Sequence, residues 1–471
     1  MTRYRLKTFS RKMLADTITP VSAYLGLRDQ FTNSILLESS EYQTTDNHFS
    51  YLCCKPIATF TVENGSALLS FPDHSSECIE LNDEHTLTET LNQFLHCFEV
   101  NTQEETLHTQ NGLFGYMAYD AVEYVEDIAF SRRNDVLPAI PLVNYSLYQY
   151  VLAIDHFRHQ LYLYEHVVET PSSMVCTLDH VIRILENRNI PNYAFAAQGA
   201  ESTNLTDAEY EELVYKGKAH CKRGDVFQIV LSRAFRQSFT GDEFNVYRAL
   251  RAVNPSPYLF YFDYGSYILF GSSPEAQLTV RRGVAAIHPI AGTYHRTGEQ
   301  NEDLILGQEL LGDPKENAEH MMLVDLARND LNRHAREVKV ETFRELQYYS
   351  HVIHLVSKVT GIADERDILS LAASAFPAGT LSGAPKFRAM QLIDQYEPSA
   401  RMFYGGAIGF IGFHGSYNHA IMIRTFCSQN NVLYYQAGAG IVEKSIAASE
   451  LAEVNHKIGA LRTAIQTAQH V

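Results

Sequence analysis

The sequence predicts an α+β protein whose strands pair mainly antiparallel. Short apolar runs with period-two alternation recur at hairpin spacing, as at residues 258–263, 267–271, 276–281 and 284–288. Helical runs fall between groups of strands, without the regular alternation that a parallel βαβ sheet demands. The chain has 471 residues, 45% hydrophobic and 20% charged, enough for a large core across two or three domains.

Strand signals in the first half lie at 34–38, 57–62, 67–71, 113–119, 148–155 and 161–166, with helices at 86–98 and 175–186. The small, polar stretch 194–203 (AFAAQGAEST) predicts a linker and divides the chain into residues 1–195 and 204–471. Thr206 and Glu209 have capping-box spacing and open a helix. A strand at 226–234, a helix at 243–253 and the four-strand meander follow. Asp313-Pro314-Lys315-Glu316 caps a long helix that runs to about 336. Helices at 367–375 and 386–396, strands at 405–413, 419–427 and 432–438, and a helix from about 445 complete the chain.

A net charge of −17 argues against nucleic acid or an anionic membrane as the main partner, because both reward a basic face. Seven cysteines, with no C-x-x-C pair, fit a reducing compartment. No apolar run has the length of a membrane span, and the basic first twelve residues lack a signal-peptide core. The expectation is a cytoplasmic protein. Tryptophan is absent, although there are 28 tyrosines and 25 phenylalanines.

Several residues suggest chemistry. Glu275 stands at a strand entrance, and Pro289-Ile290-Ala291-Gly292-Thr293 reads as a tight turn at the end of the same meander. On the long helix Glu319 shares a face with Met322, Leu323, Leu326 and Asp330; it is either an edge glutamate or a carboxylate that meets a cation. On the last helix Glu450 shares a face with Val454 and Lys457, and Glu453 sits four residues before Lys457. Taken alone that spacing suits a surface ion pair; glutamates converging from the two distant helices would instead suit Mg²⁺. Arg424 lies within the apolar run IMIRTF, so it needs an anion, from the protein or from a ligand. Gly438-Ala439-Gly440 reads as a turn that can aim N–H groups at a carboxylate, and His354 as either a core histidine or a base. No P-loop or dinucleotide fingerprint is present.

GDVFQIVLS, NPSPYLF, GSSPE, PIAGT, EHMMLVDLARNDL, FPAGTLSGAPK, YGGAIG, IRTF and QAGAG occur in this order between residues 224 and 457. With them the chain resembles the component I (large subunit) family of anthranilate synthases, among the chorismate-utilising enzymes. The resemblance covers nearly the whole chain. It implies two interlocked domains, with large antiparallel sheets sandwiched between helical layers: a regulatory N-terminal domain (1–195) and a chorismate-binding domain (204–471).

It further implies Mg²⁺ on Glu319 and Glu453, with Glu450 beside them, and chorismate on Gly292, Thr293, Tyr404, Arg424, Gly438, Ala439 and Gly440. Glu275 matches the acid that protonates the departing C4 hydroxyl, and His354 the base for loss of pyruvate. Ser39, Pro257, Tyr258 and Leu259 match a feedback pocket for tryptophan, with Leu259 in place of a methionine. Gln228 stands where isochorismate and salicylate synthases carry a lysine, and Ala291 where aminodeoxychorismate synthases commonly carry one. Ammonia attacking C2 directly is the reaction this leaves. No cysteine has the glycine-flanked elbow of a glutamine amidotransferase, so ammonia is expected from a separate amidotransferase subunit, in a hetero-oligomer, or from solution. The alternatives are an aminodeoxychorismate synthase component I and a catalytically silent tryptophan-sensing paralogue.

Overall fold

The computed structural model describes residues 2–39, 48–100, 109–131, 138–169, 175–187, 190–348 and 352–471, and of Thr293 the backbone alone. The strands form one hydrogen-bonded network with two wings, joined by the long strands Phe49–Glu63 and Val143–Asp155. Their register slips between Pro56 and Ala58, beside Lys55 at φ 60°, so the pair bends there. One end of the pair serves the first wing and the other end the second.

The first wing runs outward through Ile35–Glu38, Tyr258–Asp263, Ile268–Ser273, Thr425–Gln429, Val432–Ile441 and Gln228–Gly241 to Phe195–Thr203. On the other side of the long pair lie Gln160–Val168 and Tyr4–Leu14. The second wing runs through Gly112–Met117, Ala407–Gly412, Tyr417–Ile421, Ala276–Arg281 and Val284–Ile287 to Val352–Ala363. Each wing thus takes strands from both halves of the chain. These ladders are antiparallel, as expected from the hairpin spacing.

Alternation explains the layering. Along Tyr258–Asp263, Leu259 and Tyr261 enter a core with the helices Asp207–Arg223, Phe244–Val253 and Ala447–Ala468, while Phe260 and Phe262 enter the core between the wings. In the second wing, Ile408 and Phe410 meet that middle core, and Ala407 and Ile411 pack under helices Leu87–Leu95, Pro314–Asn332 and Ile368–Ser374. The order is helices, wing, wing, helices. Among the described residues no helix is long and apolar enough to cross a membrane.

Both caps form as the sequence predicts. The Thr206 hydroxyl accepts from Glu209 N–H with a reciprocal bond, and Asp313 accepts from Lys315 and Glu316 N–H at 2.8 and 3.1 Å.

Three expectations need correction. Residues 194–203 form no linker: Phe195–Thr203 is an edge strand on Gln228–Gly241, bulged at Gly199 (φ 67°). An edge strand can be small and polar because one side faces water. The PIAGT segment is not a tight turn, since Ile290–His295 pairs with Val352–Ala363 through a bulge at Gly292 (φ 69°). Finally, 419–427 is two strands: Tyr417–Ile421 belongs to the second wing, Thr425–Gln429 to the first, and Arg424 (φ 48°) lies between them.

Candidate active site

Two crossovers between the wings create the site. Ile268–Ser273 lies in the first wing and Ala276–Arg281 in the second, so Glu275 occupies the step between them. Arg424 occupies the matching step of the neighbouring strands. Backbone bonds lace the two steps together, Ile421 N–H to Glu275 C=O at 3.0 Å and Ser272 N–H to Arg424 C=O at 3.2 Å. Arg424 therefore feels the charge of Glu275 across the crossover, and its left-handed backbone is the kind of strain that sites retain.

Dense protein surrounds the Glu275 carboxyl, although the residue keeps part of its surface open. Burial pushes its pKa up to about 7; the Thr380 hydroxyl, donating to Oε1 at 2.9 Å, and the cations Lys457 and Arg424 only partly oppose this. A carboxyl near 7 can hold a proton at neutral pH and release it to a leaving group. Burial lowers the Arg424 pKa, and Glu275 opposes that shift.

His354, on the strand Val352–Ala363, bonds through Nδ1 to the Gly292 carbonyl at 2.8 Å. A carbonyl only accepts, so the proton sits on Nδ1 and Nε2 carries the lone pair of a base. Burial lowers the His354 pKa; the Gly292 bond opposes this and Arg424 adds to it, which favours the neutral ring. A Cβ at Gly292 would lie 2.7 Å from Leu310 Cδ1 and 3.2 Å from Glu316 Oε2, so this bulge needs glycine for space as well as for φ. Ala291 is buried and pairs with Leu355, and the Thr293 backbone pairs with His354.

Carboxylates from two distant helices act on one another. Burial raises the Glu319 pKa; Gln228 Nε2, donating to Oε1 at 3.3 Å, lowers it, and Glu453 raises it. Burial also raises Glu316 and Glu450, and Glu453 adds to both shifts. Lys457 pairs with Glu453 at 2.8 Å and donates to the Gly438 carbonyl at 2.9 Å, so this is more than a surface pair. Among the described residues no three His, Cys, Asp or Glu side chains are gathered into a finished metal cage. Mutually repelling oxygen donors still fit a hard divalent cation that completes its shell with water and ligand oxygens. Glu319 and Glu453, with Glu316 and Glu450 near them, would hold it.

Gly438, Ala439 and Gly440 are not a turn but part of the strand Val432–Ile441, opposite Ser232, Leu231 and Val230. Gly438 C=O takes the Lys457 bond and its N–H donates to the Tyr404 hydroxyl, so both point away from the paired strand. Strand periodicity aims the Gly440 groups to the same side. A Cβ at Gly440 would lie 2.4 Å from Gln228 Nε2.

Sequence reasoning missed the support behind Tyr404. Buried Arg401 binds Glu397 at 2.6 Å, donates to Leu381 and Val230 carbonyls at 2.6 Å, and lies over the Tyr119 and Tyr404 rings at 4.8 and 5.6 Å. Thr380 and Glu316 also escaped, since threonine before a glycine-rich loop and glutamate in a first helical turn have ordinary structural uses. In the inner part of the first wing, buried Ser39 follows Glu38, which pairs with Leu259, so Ser39, Pro257, Tyr258 and Leu259 come together. Tyr258 stands opposite Ser273, whose hydroxyl accepts from Glu275 N–H at 3.4 Å.

The sequence profile of a family described as chorismate binding enzyme matches residues 33–463. The chain is 36% identical to anthranilate synthase component 1 of Geobacillus stearothermophilus over 493 residues, covering 100% of this chain and 96% of that protein. With the Bacillus subtilis (strain 168) protein of the same name it shares 36% over 478 residues, covering 96% of this chain and 91% of that one. The crystal structure of anthranilate synthase component I from Streptococcus pneumoniae TIGR4 superposes with a TM-score of 0.76 at 31% identity, covering 96% of this chain and 99% of that chain. The Escherichia coli menaquinone-specific isochorismate synthase MenF, at 19% identity and a TM-score of 0.72 over 99% of this chain and 96% of its own, shares the fold. By sequence across its length and by the two-winged fold that carries its site, the chain belongs to the chorismate-binding enzyme family.

Proposed function

We propose that the chain is the large subunit of an anthranilate synthase, converting chorismate and ammonia to anthranilate and pyruvate at the start of tryptophan synthesis. One observation carries the reading: Glu275, whose pKa burial raises to about 7, stands near Arg424 across a double crossover, while His354 bonds to Gly292 on the adjoining strand, where Ala291 has no amine. Relatives named anthranilate synthase component 1 support it over the full length. In this mechanism Arg424 holds the enolpyruvyl carboxylate, and the Gly440 N–H at the open edge of Val432–Ile441 donates to a second anionic group. Glu275 gives its proton to the C4 hydroxyl, which leaves as water while ammonia bonds to C2. His354 then takes the C2 proton through Nε2 as the C3–O bond breaks, the ring becomes aromatic, and the departing enolpyruvate takes up a proton on its methylene carbon to become pyruvate. Mg²⁺ bound by Glu319 and Glu453 would supply positive charge to the ring carboxylate. Ala291 offers no nucleophile for a covalent intermediate, which disfavours an aminodeoxychorismate synthase.

Purified chain with chorismate, Mg²⁺ and ammonium should release fluorescent anthranilate, and glutamine should replace ammonium only once an amidotransferase subunit is added. Isochorismate or aminodeoxychorismate as the product would refute the assignment.

We further propose that tryptophan binds at Ser39, Pro257, Tyr258 and Leu259. The Tyr258–Ser273–Glu275 contact gives this pocket a short route to the acid. Tryptophan should inhibit, and Ser39→Ala should raise the concentration required by about tenfold, the worth of one lost hydrogen bond. Inhibition curves that coincide for parent and variant would place the pocket elsewhere.

A further inference from the structure

Behind Glu275 lies a small cavity of about 30 Å³, where Glu275, Gln277, Thr380 and Asp330 stand among mainly apolar lining residues such as Leu323 and Leu326. That is room for about two waters. The strand register shifts between Ala276 and Leu278, so Gln277 is the extra residue of a bulge, a device that re-aims a side chain. Gln277 is 3% exposed; its Oε1 accepts from the Tyr417 hydroxyl at 3.3 Å, which fixes the amide, and its Nε2 has no hydrogen-bond partner among the described residues. Gln277 lines the same cavity as Glu275, Thr380 and Asp330, so a water held among these four polar groups can satisfy the donor.

The other polar groups extend this point into a path. Thr380 already bonds Glu275 Oε1. Across the cavity, Asp330 pairs with Lys386 at 2.9 Å, and both side chains are slightly exposed, at 12% and 11%. The other charged groups acting on Glu275 are poor proton sources: Arg424 does not deprotonate, and Lys457 spends its donors on Glu453 and Gly438.

We propose that this cavity is a proton relay, in which water held by Gln277 and Thr380 carries protons from the Asp330–Lys386 end to Glu275 and restores its acid form after each turnover. The proposal rests on the reading of Glu275 as the acid. The C4–O bond breaks as the N–C2 bond forms; Glu275 donates its proton, the hydroxyl leaves as water, and a carboxylate remains. The new C2 ammonium sheds one proton to solvent, and one proton taken up at the Asp330 end passes through water to Glu275. The proton His354 takes from C2 equals the one the enolpyruvate needs at its methylene carbon, so protons and charge balance in each cycle. Gln277 and Asp330 are positioning residues for this water.

The test compares the first turnover with steady state in the full chain, with chorismate, Mg²⁺ and ammonium, for Gln277→Met and separately for Asp330→Asn, which keeps an acceptor for Lys386. At a pH below 7 the first turnover should keep the parental rate, because Glu275 then starts mostly protonated. Steady-state turnover should fall about tenfold and recover as imidazole buffer is added, since a diffusing acid replaces the relay. Parental steady-state rates without buffer dependence, or equal loss in the first turnover that imidazole does not restore, would overturn the relay. Glu275→Gln separates the two claims: if it keeps the first turnover, the acid assignment itself fails.

Discussion

Glu275→Gln should lower turnover by about 10²–10⁴-fold, the usual contribution of a positioned general acid, with little change in chorismate affinity. Glutamine keeps the size of the side chain and an oxygen for the Thr380 bond, so the fold has no reason to change. What it removes is the proton. Because burial raises the Glu275 pKa to about 7, the protonated fraction falls as pH rises through that value. The rate per free ammonia should therefore be level below about 7 and decline above it. That declining limb should vanish from whatever residual rate Glu275→Gln retains. A variant with the parental rate and the same limb would remove Glu275 from the chemistry.

Glu319→Ala or Glu453→Ala should abolish Mg²⁺-dependent turnover, and titration calorimetry should show the loss of the Mg²⁺ site. The metal-free protein should respond in the opposite sense. Burial and the Glu453 charge raise the folded-state pKa of Glu319 above its unfolded value, so the folded state holds this proton more tightly. Such a group costs stability once pH rises through the folded pKa, and the cost is absent below the unfolded one. At neutral pH, without metal, Glu319→Ala should thus melt no lower than the parent, while added Mg²⁺ should raise the melting temperature of the parent alone. Mg²⁺ stabilising parent and variant equally would place the metal elsewhere.

The sequence made the ingredients of the site legible, but not their arrangement. Period-two runs and caps gave the antiparallel meander and the helices that carry Glu319 and Glu453, because those features are local. Arg424 shows what local pattern misses: IMIRTF reads as one strand, yet the chain leaves one wing at Ile421 and joins the other at Thr425. Its charge sits at that break, where Glu275 can meet it. The stretch 194–203 read as a linker because nothing in it requires burial beyond Phe195, and an edge strand asks for little more. Arg401 and Glu397 hold each other inside the core, a pairing that no spacing rule distinguishes from an ordinary i, i+4 surface pair. Gln277 escaped because a bulge depends on the register of the partner strand, which the sequence does not display.

The most direct test of the central claim, that ammonia adds at C2 and pyruvate is lost at this site, is a mass balance with ¹⁵N-ammonium, chorismate and Mg²⁺. The expected result is ¹⁵N-anthranilate and pyruvate in equal amounts. A nitrogen-bearing product that keeps its enolpyruvyl ether, or a product with oxygen at C2, would contradict it.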